Sequence, residues 1–197
     1  AVLRLTLSRG VGQRGYSPRG ADKPTLVMTL HPLDSATTGL LPRWRARTTS
    51  FRLAAGELLA QFKTCNKLAQ ILARAEAEAA GADEGLLLNT DGCVVEGAGS
   101  NLFWIEGKTV CTPPVAGGIL PGVTREVVPE LCAKLKLQFR EADIRPEELA
   151  QADGVFLSLS THGIIELVDL DGSPLRSSPL TTLLSQAYWL QVRTECG

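Results

Sequence analysis

Aromatic side chains are scarce in this chain, 5% of 197 residues, and it has only one methionine and two histidines. His31 and His162 stand too far apart in sequence to suggest a metal centre, and no metal is expected. Charge of one sign is also missing: 20 Lys+Arg against 21 Asp+Glu leave a net charge of −1. Nothing in that balance favours a nucleic acid or an anionic membrane as partner. No uninterrupted apolar run approaches the ~20 residues of a membrane-spanning helix, so no membrane partner is expected. The five cysteines (Cys65, Cys93, Cys111, Cys132, Cys196) are scattered and odd in number, without a C-x-x-C pair. They read as reduced thiols of a cytoplasmic protein, not as a disulfide framework or zinc site. A G-x-S-x-G elbow is absent, which leaves serine-hydrolase chemistry without support. The opening AVLRLTLSRG has no continuous apolar stretch of signal-peptide type and no initiator Met. It reads as starting inside a strand, with the native beginning missing.

What is present suits one domain with a sizeable core, or one domain plus a fragment of another: 44% hydrophobic residues, patterned in short segments. Residues 2–7 alternate as a half-buried strand does, 8–24 read as a Gly/Arg/Pro loop, and 25–30 as a second strand. HPLDSATTGLLPRW (31–44) reads as an interdomain connection. From 66 to 80 apolar residues recur at helical spacing, with Asn66 as N-cap and Gly81 as the terminating residue. Strands at 85–89 and 93–96 flank the turn Thr90-Asp91-Gly92, and a second hairpin joins 102–105 to 109–112. A helix begins near Thr124, a short one near Pro146, and a final one spans 179–193. Between the last two lie strands at 154–159 and 164–170. Hairpins interleaved with helices predict an α+β fold.

Four places could carry chemistry. Lys63, in QFKTCNKLAQIL, precedes a helix among apolar neighbours, where partial desolvation would make it a Schiff-base nucleophile. Read alone, a solvated loop lysine is far the commoner case. Glu96 ends a strand in VVEGAGSNLFW, and the small residues after it leave room for a flat ligand. Its carboxylate could hold a heterocyclic nitrogen protonated, or be an ordinary edge glutamate. GGILPGVTR (117–125) opens a helix at Val123-Thr124, where free N–H groups suit an anion. It lacks the Lys of a Walker A loop. Ser158, Ser160 and Thr161 could add hydroxyls to that anion, or cap a turn. Arg9 and Arg14 are loop arginines able to grip a carboxylate. GVGQRG (10–15) spells a dinucleotide fingerprint but has prolines where the helix should follow, and is rejected.

The order of these motifs, from KTCNKL through EGAGSNLF and GILPGVTR to SLST, resembles the fold-type IV pyridoxal-phosphate enzymes. The resemblance covers about 9–167, and SRGVGQRGYS, KTCNKL and ADEGLLLNTDGCVVEGAGSNLFW look most like the aminodeoxychorismate lyases. It implies the D-amino-acid aminotransferase-like fold, with 1–34 as the end of a small N-terminal domain plus the start of a linker. Residues 35–197 would be the large cofactor domain. It further implies pyridoxal 5′-phosphate as cofactor, with Lys63 as its Schiff-base lysine and proton shuttle. Glu96 would pair with the ring nitrogen, and Val123, Thr124, Ser160 and Thr161 would hold the phosphate. Arg14 matches a position that contacts a substrate carboxylate. The implied reaction converts 4-amino-4-deoxychorismate to p-aminobenzoate and pyruvate, on the route to folate. The alternatives are a branched-chain or D-amino-acid aminotransferase, and a non-catalytic member of the fold. A small-molecule substrate and a homodimer are implied with either enzyme.

Overall fold

The computed structural model describes residues 1–32 and 41–196, and the expected domain boundary after residue 34 lies outside them. The chain divides into two compact units, Ala1–Ala36 and Thr37–Gly197.

In the first unit, β1 (Val2–Ser8) and β2 (Thr25–His31) form an antiparallel hairpin, joined by a loop without helix or strand. The register sets Leu3 opposite Leu30, Leu5 opposite Met28 and Leu7 opposite Leu26. Alternation of period two thus puts six large apolar side chains on one face. Contrary to the half-buried pattern expected, all six are exposed. Arg9 and Arg14 lie exposed in the connecting loop.

The second unit is built on β3 (Arg43–Leu53), β4 (Glu84–Asn89), β5 (Val94–Gly97), β6 (Asn101–Glu106), β9 (Gly154–Leu159) and β10 (Gly163–Leu170). Each pairs with the next, and β10 returns to β3, so the six close into a ring. Within the ring, pairing is parallel only at β10–β3 and β3–β4. Closure removes the exposed edges that an open sheet would present. Around it lie β7 (Thr109–Thr112), β8 (Gln138–Glu141), β11 (Ser173–Pro174) and four helices. These are α1 (Leu68–Ala79), α2 (Val123–Lys134), α3 (Pro146–Leu149) and α4 (Pro179–Cys196).

Alternation along the strands sorts the core into an inside and an outside. Leu86, Leu88, Leu102, Trp104, Val155, Leu157, Ile165 and Leu167 make one buried cluster within the ring. Their neighbours Phe103, Ile105, Phe156 and Ile164 face outward to Val128, Leu131 and Leu184 of α2 and α4. Leu87 and Val95 face outward beneath Ala73 of α1 and beside Ile119. The mixture of hairpins, parallel pairs and covering helices is the expected α+β architecture.

Two strands escaped the periodicity reading. β3 includes Arg43 and Trp44, which had been assigned to the connection, and runs on to Leu53. Its outward positions carry Arg43, Arg45 and Arg47, paired with Glu166 (3.1 Å), Asp83 (4.0 Å) and Asp171 (3.7 Å). β8 is a four-residue strand at the sheet's end. The first helix starts at Leu68, with Lys67 and not Asn66 at the cap position. It ends as expected before Gly81, whose φ of +74° is left-handed backbone that glycine adopts without strain. No helix of the described residues is long and apolar enough to cross a membrane.

Candidate active site

A side-chain hydrogen bond and core packing bring Glu96 and the segment before α2 together on the outer wall of the ring, beneath α1. Glu96 on β5 stands opposite Leu87 on β4 and Asn101 on β6, and Asn101 stands opposite Ser158 on β9. Side chains paired across adjacent strands share a face. Leu87 lies beneath α1, so Glu96, Asn101 and Ser158 continue a row on that same face.

Glu96 is buried, 6% exposed. Its Oε2 accepts the Leu120 N–H at 3.0 Å, and it makes no ion pair among the described residues. Burial penalises the carboxylate form and pushes its pKa up to about 7. The Leu120 N–H, the charges of Lys67 and Lys63, and Gln70 pull the other way without cancelling it. Both lysines therefore stand within electrostatic reach of Glu96. Lys63 itself is exposed, in the irregular segment ahead of α1, and not partly desolvated as its apolar neighbours suggested. Those neighbours are themselves exposed: Phe62 is 62% and Leu68 63% accessible.

The turn after Glu96 is held by a residue the sequence reading passed over. Glu84, the first residue of β4, is 1% exposed. Its Oε2 accepts from Ser100 Oγ (2.9 Å) and the Gly99 N–H (3.3 Å). Its Oε1 accepts from the Gly85 N–H (3.0 Å) and Arg74 Nη1 (3.3 Å). A side chain at Gly97 would collide with Ser100 Oγ and press on Glu84, so the 97–100 turn closes only around glycine. Arg74 also lies over the Trp44 ring, 5.8 Å from its centroid, and Trp44 meets His162 edge-on at 5.3 Å. Burial, then the Arg74 charge, lowers the His162 pKa. The His162 Nδ1 bonds the Thr161 hydroxyl at 2.8 Å.

At the other end, Gly122 occupies the cap position of α2. Val123 is exposed and Thr124 buried at the helix start, where the first N–H groups lack intrahelical partners. Arg125 does not point to that space: its Nη2 is taken by the Pro113 carbonyl (3.0 Å) and Glu141 (2.6 Å). Ser160 is exposed and Thr161 half-buried in the turn between β9 and β10. Ser158 Oγ is fully buried with no hydrogen-bond partner among the described residues.

The family model "Amino-transferase class IV" matches residues 1–169. The chain belongs to the aminotransferase class IV family. It is 33% identical along its whole length to a Methanocaldococcus jannaschii protein assigned as a branched-chain-amino-acid aminotransferase. The branched-chain aminotransferase of Thermoproteus uzoniensis, solved with norvaline, superposes over 94% of the chain with a TM-score of 0.86 and 30% identity. The 4-amino-4-deoxychorismate lyase of Pseudomonas aeruginosa superposes over 98% with a TM-score of 0.84 and 32% identity. The chain spans 69%, 62% and 70% of these three proteins, respectively. It is thus related both to aminotransferases and to lyases of this class.

Class IV membership implies a pyridoxal phosphate cofactor, and the donor set fits one. A buried carboxyl titrating near neutrality suits a ring nitrogen that shares its proton. A lysine in its electrostatic field suits an aldehyde, and a helix start with free N–H groups suits a phosphate.

Proposed function

We propose that this chain carries the cofactor domain of a pyridoxal-phosphate-dependent aminotransferase acting on a branched-chain or related amino acid. The observation that carries the reading is the buried Glu96 carboxyl with Lys63 in its field. Identity along the whole chain to a protein named "Putative branched-chain-amino-acid aminotransferase" supports amino transfer.

When bound, pyridoxal phosphate supplies an aldehyde that condenses with amines and a protonated ring that accepts electrons from the amine-bearing carbon. Lys63 would hold it through Nζ, and the same Nζ would take and return the proton at the substrate's amine-bearing carbon. Glu96 holds the proton at the ring nitrogen, and the Leu120 N–H orients its carboxyl. Val123 and Thr124 at the start of α2, with Ser160 and Thr161, hold the phosphate. Arg14 grips a substrate carboxylate. Residues 1–34 are the end of a small domain plus linker, and 35–197 the large domain of a cytoplasmic enzyme.

A second reading is supported by the KTCNKL motif and the 32% identity to the Pseudomonas lyase. In it, the same Lys63 takes a ring proton from 4-amino-4-deoxychorismate, and loss of pyruvate leaves p-aminobenzoate. A homodimer belongs to either reading. Leu58, Leu59, Phe62, Leu68 and Ile71 are each more than 60% exposed within one short stretch, an apolar patch that a second copy would cover.

Borohydride reduction of protein incubated with pyridoxal phosphate, followed by peptide mass analysis, tests the cofactor assignment. An adduct on Lys63 is expected, and an adduct elsewhere or none refutes it. Supplying valine or leucine and following conversion to the 2-oxo acid then tests amino transfer. Release of p-aminobenzoate from aminodeoxychorismate with no such conversion would decide for the lyase.

A further inference from the structure

Between the ring end and the phosphate end of the proposed site runs the segment 119–122, and its attachment is unusual. Ile119 is fully buried beside Leu87, Val95 and Ala73. The next residue, Leu120, is tied at both ends of its backbone by side chains from facing positions on adjacent strands. Its N–H donates to Glu96 Oε2 at 3.0 Å, and its carbonyl accepts from Asn101 Nδ2 at 2.8 Å. Asn101 is 6% exposed and opens β6 directly across from Glu96. Two residues beyond Leu120, Gly122 packs against the other end of the same amide. A Cβ there would collide with Asn101 Oδ1. The Gly122 backbone (φ −70°, ψ 141°) is open to any residue, so contact with Asn101, not conformation, is what excludes a side chain.

We infer that Asn101 is a positioning residue that fixes the start of α2 at a set distance from Glu96, and so sets the phosphate end of the site against its ring end. The inference rests on the pyridoxal phosphate reading. Without the Asn101 donor, the Leu120 carbonyl loses a buried partner and Gly122 loses its wall. Ile119 and the Glu96–Leu120 bond remain, so the ring end keeps its geometry while the helix start is released. The consequence is specific to the phosphate: Asn101 matters to a ligand that spans both ends and little to one that occupies only the ring end.

Pyridoxal phosphate and pyridoxal, which lacks the phosphate, separate the two ends. Dissociation constants for each are measured by absorbance titration of wild type, Asn101→Asp and Asn101→Ala. Asn101→Asp keeps the volume but removes the donor. Both variants are expected to bind pyridoxal phosphate about tenfold more weakly, the effect of one lost buried hydrogen bond, with pyridoxal changed less than about twofold. Gly122→Ala is expected to give the same signature by pushing against Asn101. Its loss should shrink when combined with Asn101→Ala, since the colliding amide is gone. Equal weakening for both aldehydes marks a general structural role and overturns the inference, as does no change for either. Additive losses in the double variant also overturn it. Wild type that binds neither aldehyde refutes the cofactor reading itself, whereas a wild-type adduct on Lys63 with non-selective Asn101 variants sinks only the role of Asn101.

Discussion

Glu96 makes an unusual demand on stability that can be read before any cofactor is added. Its pKa rises from 4.5 to about 7, mainly because burial disfavours the charged form. At about 1.4 kcal/mol per unit, the shift corresponds to roughly 3 kcal/mol. Below the unfolded value both states hold the proton and the group contributes nothing. Between 4.5 and about 7 the folded protein keeps a proton that the unfolded chain has released, so raising the pH withdraws stability. Above that range the full cost of an ionised, buried carboxylate is present. Glu96→Gln preserves shape and can accept the Leu120 N–H through its amide oxygen, but it does not titrate. Urea unfolding of the cofactor-free protein from pH 5 to 8 should therefore show wild type losing about 2–3 kcal/mol relative to Glu96→Gln. The variant should be the better folder at pH 8 relative to its standing at pH 5. Adding pyridoxal phosphate should flatten the wild-type slope, because the ring nitrogen then shares the proton. Parallel wild-type and variant curves would refute the account of Glu96 as a carboxyl kept protonated by burial.

Three further outcomes follow from particular contacts. Glu84→Leu removes the acceptor for Ser100, two backbone N–H groups and Arg74, and should cost about 3 kcal/mol in denaturant unfolding. It should also weaken pyridoxal and pyridoxal phosphate alike, because the turn beside Glu96 loosens. Phe156, stacked on Phe103 with centroids 4.8 Å apart and fully buried, should cost about 3–5 kcal/mol as Phe156→Ala, read from the same unfolding curves. Thiol labelling under native conditions should modify exposed Cys65 ahead of Cys93 and leave Cys132 unlabelled, since burial pushes the Cys132 thiol up to about 11. Rapid labelling of Cys132 would show that α2 opens readily.

How much of this was legible in the chain depends on what kind of contact each residue makes. β9 shows in sequence because alternate positions, Val155 and Leu157 against Phe156 and Ser158, go to opposite faces of a closed wall, and its bounds of 154–159 match. β3 hides because alternate positions in its first half, Arg43, Arg45 and Arg47, are arginines whose acidic partners come from distant residues. Period-two hydrophobicity vanishes when the solvent side is a row of ion pairs and the core side includes Ala46 and Thr49. The site divides the same way. Lys63, Glu96 and the glycine-rich start of α2 carry local signatures: a lysine ahead of an amphipathic helix, a carboxylate before small residues, and glycines before a helix start. Glu84, Arg74 and Asn101 carry none, because each acts on a residue brought near only by the folded chain. Glu84 reaches Ser100 across the β4–β5 pair, and Asn101 reaches Leu120 from 19 positions away. A sequence can advertise groups suited to meet a cofactor. The groups that set the spacing between them are defined by the closed ring itself. That is why the Asn101–Leu120–Glu96 connection, and not the lysine, is where the fold most directly shapes what the site can hold.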